Sequence, residues 1–238
     1  MLVWSLLRLP ETLHPEYRRS LAPREILSAA AQTVREPLSR GYTLALAVTF
    51  GALIAYISSI QQIVFDVFEA PGAIGLVFGA VAAPMALASW TNARVVGKYG
   101  LRRVGHGGAL AFAAVTILHA LIASAGLENL TIFIILQGLA MVCFAFTSSN
   151  LGTLAMERMG PIAGTASSVQ GVVGTIGGAA VGYAIGQAYD GTVLPFLWGT
   201  AACAAITFVL AVLTEPKRLF AGPSASSEQC EAVPEDFG

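Results

Sequence analysis

Residues 70–103 read APGAIGLVFGAVAAPMALASWTNARVVGKYGLRR. The first 24 of them, Ala70–Ala93, carry no charge, and the next ten carry Arg94, Lys98, Arg102 and Arg103. About 20 apolar residues suffice to cross the hydrocarbon core of a bilayer as a helix. The stretch therefore reads as one membrane span followed by a basic loop. Five other runs repeat the pattern: Gly41–Phe65, Val104–Leu127, Asn129–Met156, Met159–Tyr189 and Gly191–Thr214, each uncharged and at least 24 residues long. Backbone groups in lipid must be satisfied within the segment or a closed barrel. The runs are too long and too evenly apolar for barrel strands, which read as about ten alternating residues. The expectation is an all-α membrane protein with six spans, placed at about 41–65, 72–92, 104–126, 130–154, 161–187 and 192–214.

The charges sort by gap. All 13 Lys and Arg lie before the first run, between the second and third, between the fourth and fifth, or after the sixth. These are Arg8, Arg18, Arg19, Arg24, Arg35 and Arg40, then Arg94, Lys98, Arg102 and Arg103, then Arg158, then Lys217 and Arg218. The other three gaps hold only Asp66, Glu69, Glu128 and Asp190. This alternation is the positive-inside pattern, and it predicts that both chain ends lie in the cytoplasm.

Composition agrees. Of 238 residues, 55% are hydrophobic and 11% charged, with a mean hydropathy of +0.71, whereas soluble domains carry about 25% charged residues. Lipid must be the solvent for most of this surface. The short basic loops are explained by topology, and no nucleic-acid partner is expected. Cys143, Cys203 and Cys230 show no paired spacing, so neither a disulfide framework nor a metal site is expected. No signal peptide is read: the run Met1–Leu7 is shorter than an h-region.

Three domains are expected: residues 1–40 as a cytoplasmic segment, 41–215 as the six-span bundle and 216–238 as a disordered cytoplasmic tail. Met1–Leu7 reads either as the end of a span whose earlier part is missing or as an ordinary start. Between Pro23 and Pro37, Ile26, Leu27, Ala30, Ala31, Val34 and Leu38 recur at helical spacing, which reads as an amphipathic helix on the inner membrane surface or as a solvated linker. In the fifth span, Gly164, Ser168, Gly171, Gly174, Gly178, Gly182 and Gly186 build a small-residue stripe. Such stripes allow close helix packing in lipid. Static packing and a sliding surface are both compatible with it.

No catalytic constellation is present, and no enzyme activity or cofactor is expected. His14, His106 and His119 lie far apart, and no Asp, Glu, Lys or Arg falls in the middle of a run. Uncharged polar residues remain. Tyr56, Ser59 and Gln62 in the first run, and Gln137 and Asn150 in the fourth, serve either as interhelical hydrogen-bonding groups or as the lining of a cavity. His119 lies deep in the third run and is read as a proton-linked group, histidine being the residue type used as a proton switch, or as packing.

Several stretches resemble the C-terminal half of a major facilitator superfamily transporter of the Bcr/CflA type, the drug:proton antiporters. Leu9-Pro10-Glu11-Thr12-Leu13 resembles the segment after that family's sixth span, and Ala55-Tyr56-Ile57-Ser58-Ser59 its seventh span. Asn92–Arg103 resembles the loop between spans eight and nine. Gly164-Thr165-Ala166-Ser167-Ser168, with the Gly-rich run that follows, resembles the eleventh span. Gly97, Lys98, Gly100 and Arg102 align with the superfamily's cytoplasmic signature loop, with Gly97 in place of its acidic residue. The resemblance implies one half of a two-half fold, a C-terminal six-helix bundle built from inverted three-span repeats. It implies a missing N-terminal six-span half, a bacterial inner-membrane location and exchange of small, largely apolar drugs for protons. It also implies a cavity lined by Tyr56, Ser59, Gln62, Gln137 and Asn150, and a cytoplasmic gate loop of Arg94, Gly97, Lys98, Gly100, Arg102 and Arg103. The alternative function is a self-assembling six-span protein without transport activity, joined through the glycine stripe.

Overall fold

A computed structural model describes residues 22–216 and 218–220. The readings placed on Met1–Leu7, Leu9–Leu13, His14, Lys217, Cys230 and the tail 221–238 lie outside the described residues. Every regular element among the described residues is helical. A first helix, α1 (Pro23–Arg35), precedes six that are long and apolar enough to cross a membrane. These are α2 (Pro37–Gln62, continued by a π turn at Ile63–Val67), α3 (Ile74–Tyr99), α4 (Leu101–Ser124), α5 (Leu130–Met156), α6 (Ala163–Gln187) and α7 (Leu194–Thr214). The chain is thus a multi-pass helical membrane protein by length and composition.

Local chemistry sets the helix ends. Pro23 and Pro37 each open a helix at a position where the missing N–H costs nothing. The Glu36 carboxylate caps α2 by accepting from the Ser39 N–H at 2.6 Å. Asn129 caps α5 by accepting from the Ile132 N–H at 3.0 Å. Between α6 and α7, Asp190 accepts from both the N–H and the hydroxyl of Thr192, at 2.9 and 2.7 Å.

One expectation is corrected here. The residues Arg94–Arg103 do not form a loop. Helix α3 runs to Tyr99, α4 starts at Leu101, and Gly100 alone joins them with φ +85°. Charged residues tolerate helix once the chain has left the hydrocarbon, so the span ends before the helix does, and the joint falls on the residue that adopts positive φ freely. In α1, the face packed on the bundle is Ala29 and Thr33, set against Met159, Ile162 and Ala166. The larger apolar residues Ile26, Leu27 and Val34 of the same helix are exposed, and Leu38 belongs to α2.

The packing has an internal order. The extensive helix pairs are α2·α6, α4·α5, α2·α7, α3·α5, α4·α7 and α2·α5. Exchange α2 with α5, α3 with α6 and α4 with α7, and this set maps onto itself. The pairing pattern of the triplets α2–α4 and α5–α7 thus has a pseudo-two-fold symmetry. Each triplet has an odd number of spans, so the second enters the membrane from the side opposite to the first. Helices α2 and α5 meet at the centre. Helices α3 and α6 are the least enclosed, with only Val77, Val81 and Ala88 buried in α3, and Ala166, Gly174, Gly178 and Gly182 in α6.

The glycine stripe divides along its length. A Cβ on Gly178 would lie 3.1 Å from Phe50 Cβ and from Ile54 Cδ1, and one on Gly182 would lie 2.6 Å from Ile54 Cγ2. One on Gly174 would rest 3.5 Å from the Phe50 ring. On Gly164, Gly171 and Gly186 it would meet nothing within 4 Å. Ser168 is exposed, and its hydroxyl donates to the Gly164 carbonyl at 3.0 Å. Three stripe glycines thus hold α6 against α2 of the same chain.

Candidate functional site

Four of the five residues expected to line a cavity are enclosed within the bundle. Tyr56, Ser59, Gln137 and Asn150 are 5%, 6%, 2% and 1% exposed. The reason is the central position of α2 and α5, whose polar side chains turn toward neighbouring helices. Asn150 Nδ2 donates to Asn92 Oδ1 of α3 at 2.8 Å and to the Phe146 carbonyl at 2.6 Å, while Asn92 Nδ2 donates to Ser149 Oγ at 3.2 Å. The Tyr56 ring sits edge-on to Phe78 at 5.9 Å, and its hydroxyl is buried without a hydrogen-bond partner. Only Gln62 reaches an open surface, where it lines a concavity of about 270 Å³ with Ser58, Gln61, Phe65 and Asp66.

At the basic end, a network ties four helices together. The Arg102 guanidinium at the start of α4 donates through Nε to Glu215 Oε2 at 2.8 Å. Its Nη2 donates to Glu215 Oε1 at 3.1 Å and to Glu157 Oε2 at 2.5 Å. Glu157 follows α5 and Glu215 follows α7, so one side chain joins three helix ends. The Tyr42 hydroxyl of α2 donates to Glu215 Oε2 at 2.9 Å and lies 2.8 Å from His106 Nε2. Having spent its proton on Glu215, that hydroxyl accepts from His106, which assigns the proton to Nε2. His106 Nδ1 is then free to accept the Phe220 N–H, at 3.4 Å. Each donor finds an acceptor, as buried polar groups require. Burial raises the Glu215 carboxyl pKa, but the hydrogen bonds from Arg102 and Tyr42 outweigh it and hold the group below its ordinary range.

The other residues assigned to the gate behave differently. Arg103 Nε lies 3.4 Å from the Phe220 carbonyl. Arg94 packs over the Trp90 ring at 4.5 Å and Lys98 over the Tyr99 ring at 5.2 Å. Gly97 faces open space, and Gly100 is the joint. A separate ion pair, Arg158 Nη1 to Glu36 Oε1 at 3.1 Å, ties the α5–α6 turn to the cap of α2.

At the opposite end, His119 is not isolated. Its Nε2 lies 3.0 Å from Glu128 Oε1, with the two side chains 1% and 8% exposed. The imidazole tilts against Phe133 at 5.6 Å, and Glu128 Oε2 is buried without a partner. Sequence reading paired neither Glu128 with His119 nor Tyr42, His106 and Glu215 with Arg102. Neither grouping carries a spacing signal, because the partners in each come from different helices or from the turns beyond them. Among the described residues, no three His, Cys, Asp or Glu side chains gather as metal ligands would.

Six membrane-length helices, a pseudo-two-fold between triplets and a charged clamp at one end thus define the molecule. No known family, curated protein or solved structure matches the chain.

Proposed function

We propose that this chain is one six-helix half of a major facilitator-type transporter of the Bcr/CflA kind. The assembled transporter exports small, largely apolar drugs in exchange for protons across a bacterial inner membrane, with both ends of this half in the cytoplasm. The observation that carries this reading is the exchange of α2–α4 with α5–α7, which leaves the helix pairing unchanged. Inverted three-span repeats are the building unit of each half of that fold. The stretches Ala55–Ser59, Asn92–Arg103 and Gly164–Ser168 support it from the sequence side. The sparse burial of α3 and α6 leaves faces for a second half to cover. The Arg102 clamp fits a body that must keep its helix ends together while it rocks against a partner.

The self-assembly reading placed the interface on the glycine stripe. Gly174, Gly178 and Gly182 are occupied by α2 of the same chain, which removes the middle of that interface.

The test is transport. Inverted vesicles are prepared from cells expressing this sequence joined to a facilitator-type N-terminal half. A proton gradient is expected to drive uptake of an apolar fluorescent dye, and the dye in turn to dissipate the gradient. Vesicles that contain the folded protein and show neither flux refute the export reading.

A further inference from the structure

Where α1, α2 and α6 meet at the basic end of the bundle, they leave a shallow cleft of about 70 Å³. Val34 of α1, Arg40 and Leu44 of α2, and Val169 and Val173 of α6 line it. On α2 the lining is ordered by depth. Arg40 is the last charge before the uncharged run Gly41–Phe65, which places it at the edge of the hydrocarbon. Leu44 lies one turn deeper on the same face, about 6 Å further along the helix axis. Val169 and Val173, also one turn apart, supply the apolar wall on α6. On α1, the exposed residues Ile26, Leu27 and Val34 fall within about 100° of one another at 3.6 residues per turn. An apolar strip of this kind lays a helix in the headgroup plane, level with Arg40.

Charge and shape decide the occupant. Arg40 is exposed, and no side chain among the described residues pairs with it. Arg35, in the last turn of α1, is likewise unpaired, while Glu36 between the two helices is held by Arg158 at 3.1 Å. The α1–α2 corner is thus left with a net positive charge. No residue lining the cleft is acidic. The ammonium of a zwitterionic headgroup finds no counter-charge there, whereas a headgroup with net negative charge meets a free guanidinium. The cleft is far smaller than the roughly 300 Å³ at which pockets for compact ligands begin. It suits a narrow hydrocarbon chain laid along it, with the exposed flanks of Leu44 and Val34 extending the bed.

We propose that this cleft binds one anionic diacyl phospholipid from the leaflet at the basic end, its phosphate on the Arg40 guanidinium and one acyl chain along Leu44, Val169 and Val173. A guanidinium donates two parallel N–H bonds to a phosphate, and its apolar stem tolerates the hydrocarbon edge. The lipid has a structural consequence. Helix α1 buries only Ala29 and Thr33 of its own residues, so a chain seated beside Val34 enlarges the contact that holds α1 to α2 and α6. Binding requires no transport, and the site stands or falls apart from the export reading.

Native mass spectrometry reads the bound lipid directly. The full chain is purified in detergent and offered equal amounts of dioleoylphosphatidylglycerol and dioleoylphosphatidylcholine. One phosphatidylglycerol is expected to be retained in preference to phosphatidylcholine. Arg40→Gln is expected to lower that retention about fivefold, the worth of one basic side chain against an anionic headgroup, and Arg40→Lys to keep most of it. Lys98→Gln removes the same charge from α3, which does not line the cleft, and is expected to change nothing. Val173→Trp keeps every charge, fills the acyl path and is expected to lower retention as Arg40→Gln does. Equal retention of the two lipids, or equal losses in Arg40→Gln and Lys98→Gln, would overturn the site, the latter marking diffuse attraction to a basic surface. Undiminished retention in Val173→Trp, or full displacement by millimolar glycerol 3-phosphate, which carries the phosphate without the chains, would also overturn it, leaving a headgroup contact with no seat for the lipid. Arg40 is exposed, so its substitution spares the fold and keeps the test decisive even where Val173→Trp fails to fold.

Discussion

Gly182→Ala is expected to weaken the bundle where Gly186→Ala, one helical turn further along the same stripe, does not. A Cβ built on Gly182 lies 2.6 Å from Ile54 Cγ2, 2.9 Å from Ile54 Cβ and 3.1 Å from the Ala55 backbone N. Carbon atoms rest at about 3.5–4.0 Å, so α2 and α6 must separate locally by about 1 Å. Two of the obstructing atoms are a β-branched stem and a third is backbone, so no side-chain rotation relieves the clash. Overpacking of this kind costs about 1–3 kcal/mol, offset by at most ~1 kcal/mol of helix propensity gained on replacing glycine. At Gly186 no atom lies within 4 Å, and only the propensity gain remains. The two variants should differ by about 2 kcal/mol, more than a tenfold change in the folded-to-unfolded ratio. SDS titration in mixed micelles, followed by far-UV circular dichroism, measures the difference. Ile54→Ala removes Cγ2, and in that background the Gly182→Ala penalty should shrink, a coupling that a double-mutant cycle reads. Equal penalties at the two glycines, or a penalty indifferent to Ile54, would refute the close packing of α6 on α2 at this level.

Arg102→Gln should cost about 2 kcal/mol in the same assay, between the values for exposed and buried pairs, because Glu157 and Glu215 then face each other without a cation; a loss below a few tenths would show the clamp to be ornamental. Glu215 carries a depressed pKa in the folded chain. Its stabilising effect is present above the ordinary carboxylate range and lost as the pH falls through the depressed value, so the SDS midpoint should drop as the solution is acidified through and below the ordinary carboxylate range, and Glu215→Gln should flatten that part of the profile. Asn92→Leu removes the hydrogen bonds to Asn150 and Ser149 and should cost about 1 kcal/mol, the scale of interhelical hydrogen bonds in membranes; an effect several times larger would point to a further role for the α3–α5 contact. Cysteines placed at Lys98 and at Thr192 should react with an impermeant maleimide from opposite sides of a sealed vesicle, and labelling of both from one side would refute the six-span alternation.

The span count was legible because it rests on a coarse quantity, the length of uncharged sequence, that packing leaves unaltered. The helix ends were less so. Arg94–Arg103 carry four charges, and charge reports departure from the hydrocarbon, whereas the backbone stays helical until Gly100. The clamp was half visible: Arg102 stood among the residues of the expected gate loop, but its partners Glu157 and Glu215 lie 55 and 113 residues away, beyond any local pattern. The polar residues of α2 and α5 were visible as residue types, while their facing direction depends on which helices are central, and that is a property of the whole bundle.

The pseudo-two-fold bears on how this protein is made. Every extensive contact runs from the first triplet to the second, and α2, the most enclosed helix, finds its main neighbours in α5, α6 and α7. A ribosome delivers α2, α3 and α4 to the membrane before any of those neighbours exists. For that interval the first triplet holds an incomplete fold, with His106, Thr49 and Tyr42 facing lipid or one another in place of their later partners. Thr49 waits for Thr207, which lies 158 residues away and whose hydroxyl comes to within 2.9 Å. Long-range pairing of this kind folds slowly and exposes its intermediates. Quality control in the membrane therefore has a defined window in which to remove a stalled chain, and that window closes only once α5, α6 and α7 have all emerged and supplied the missing partners.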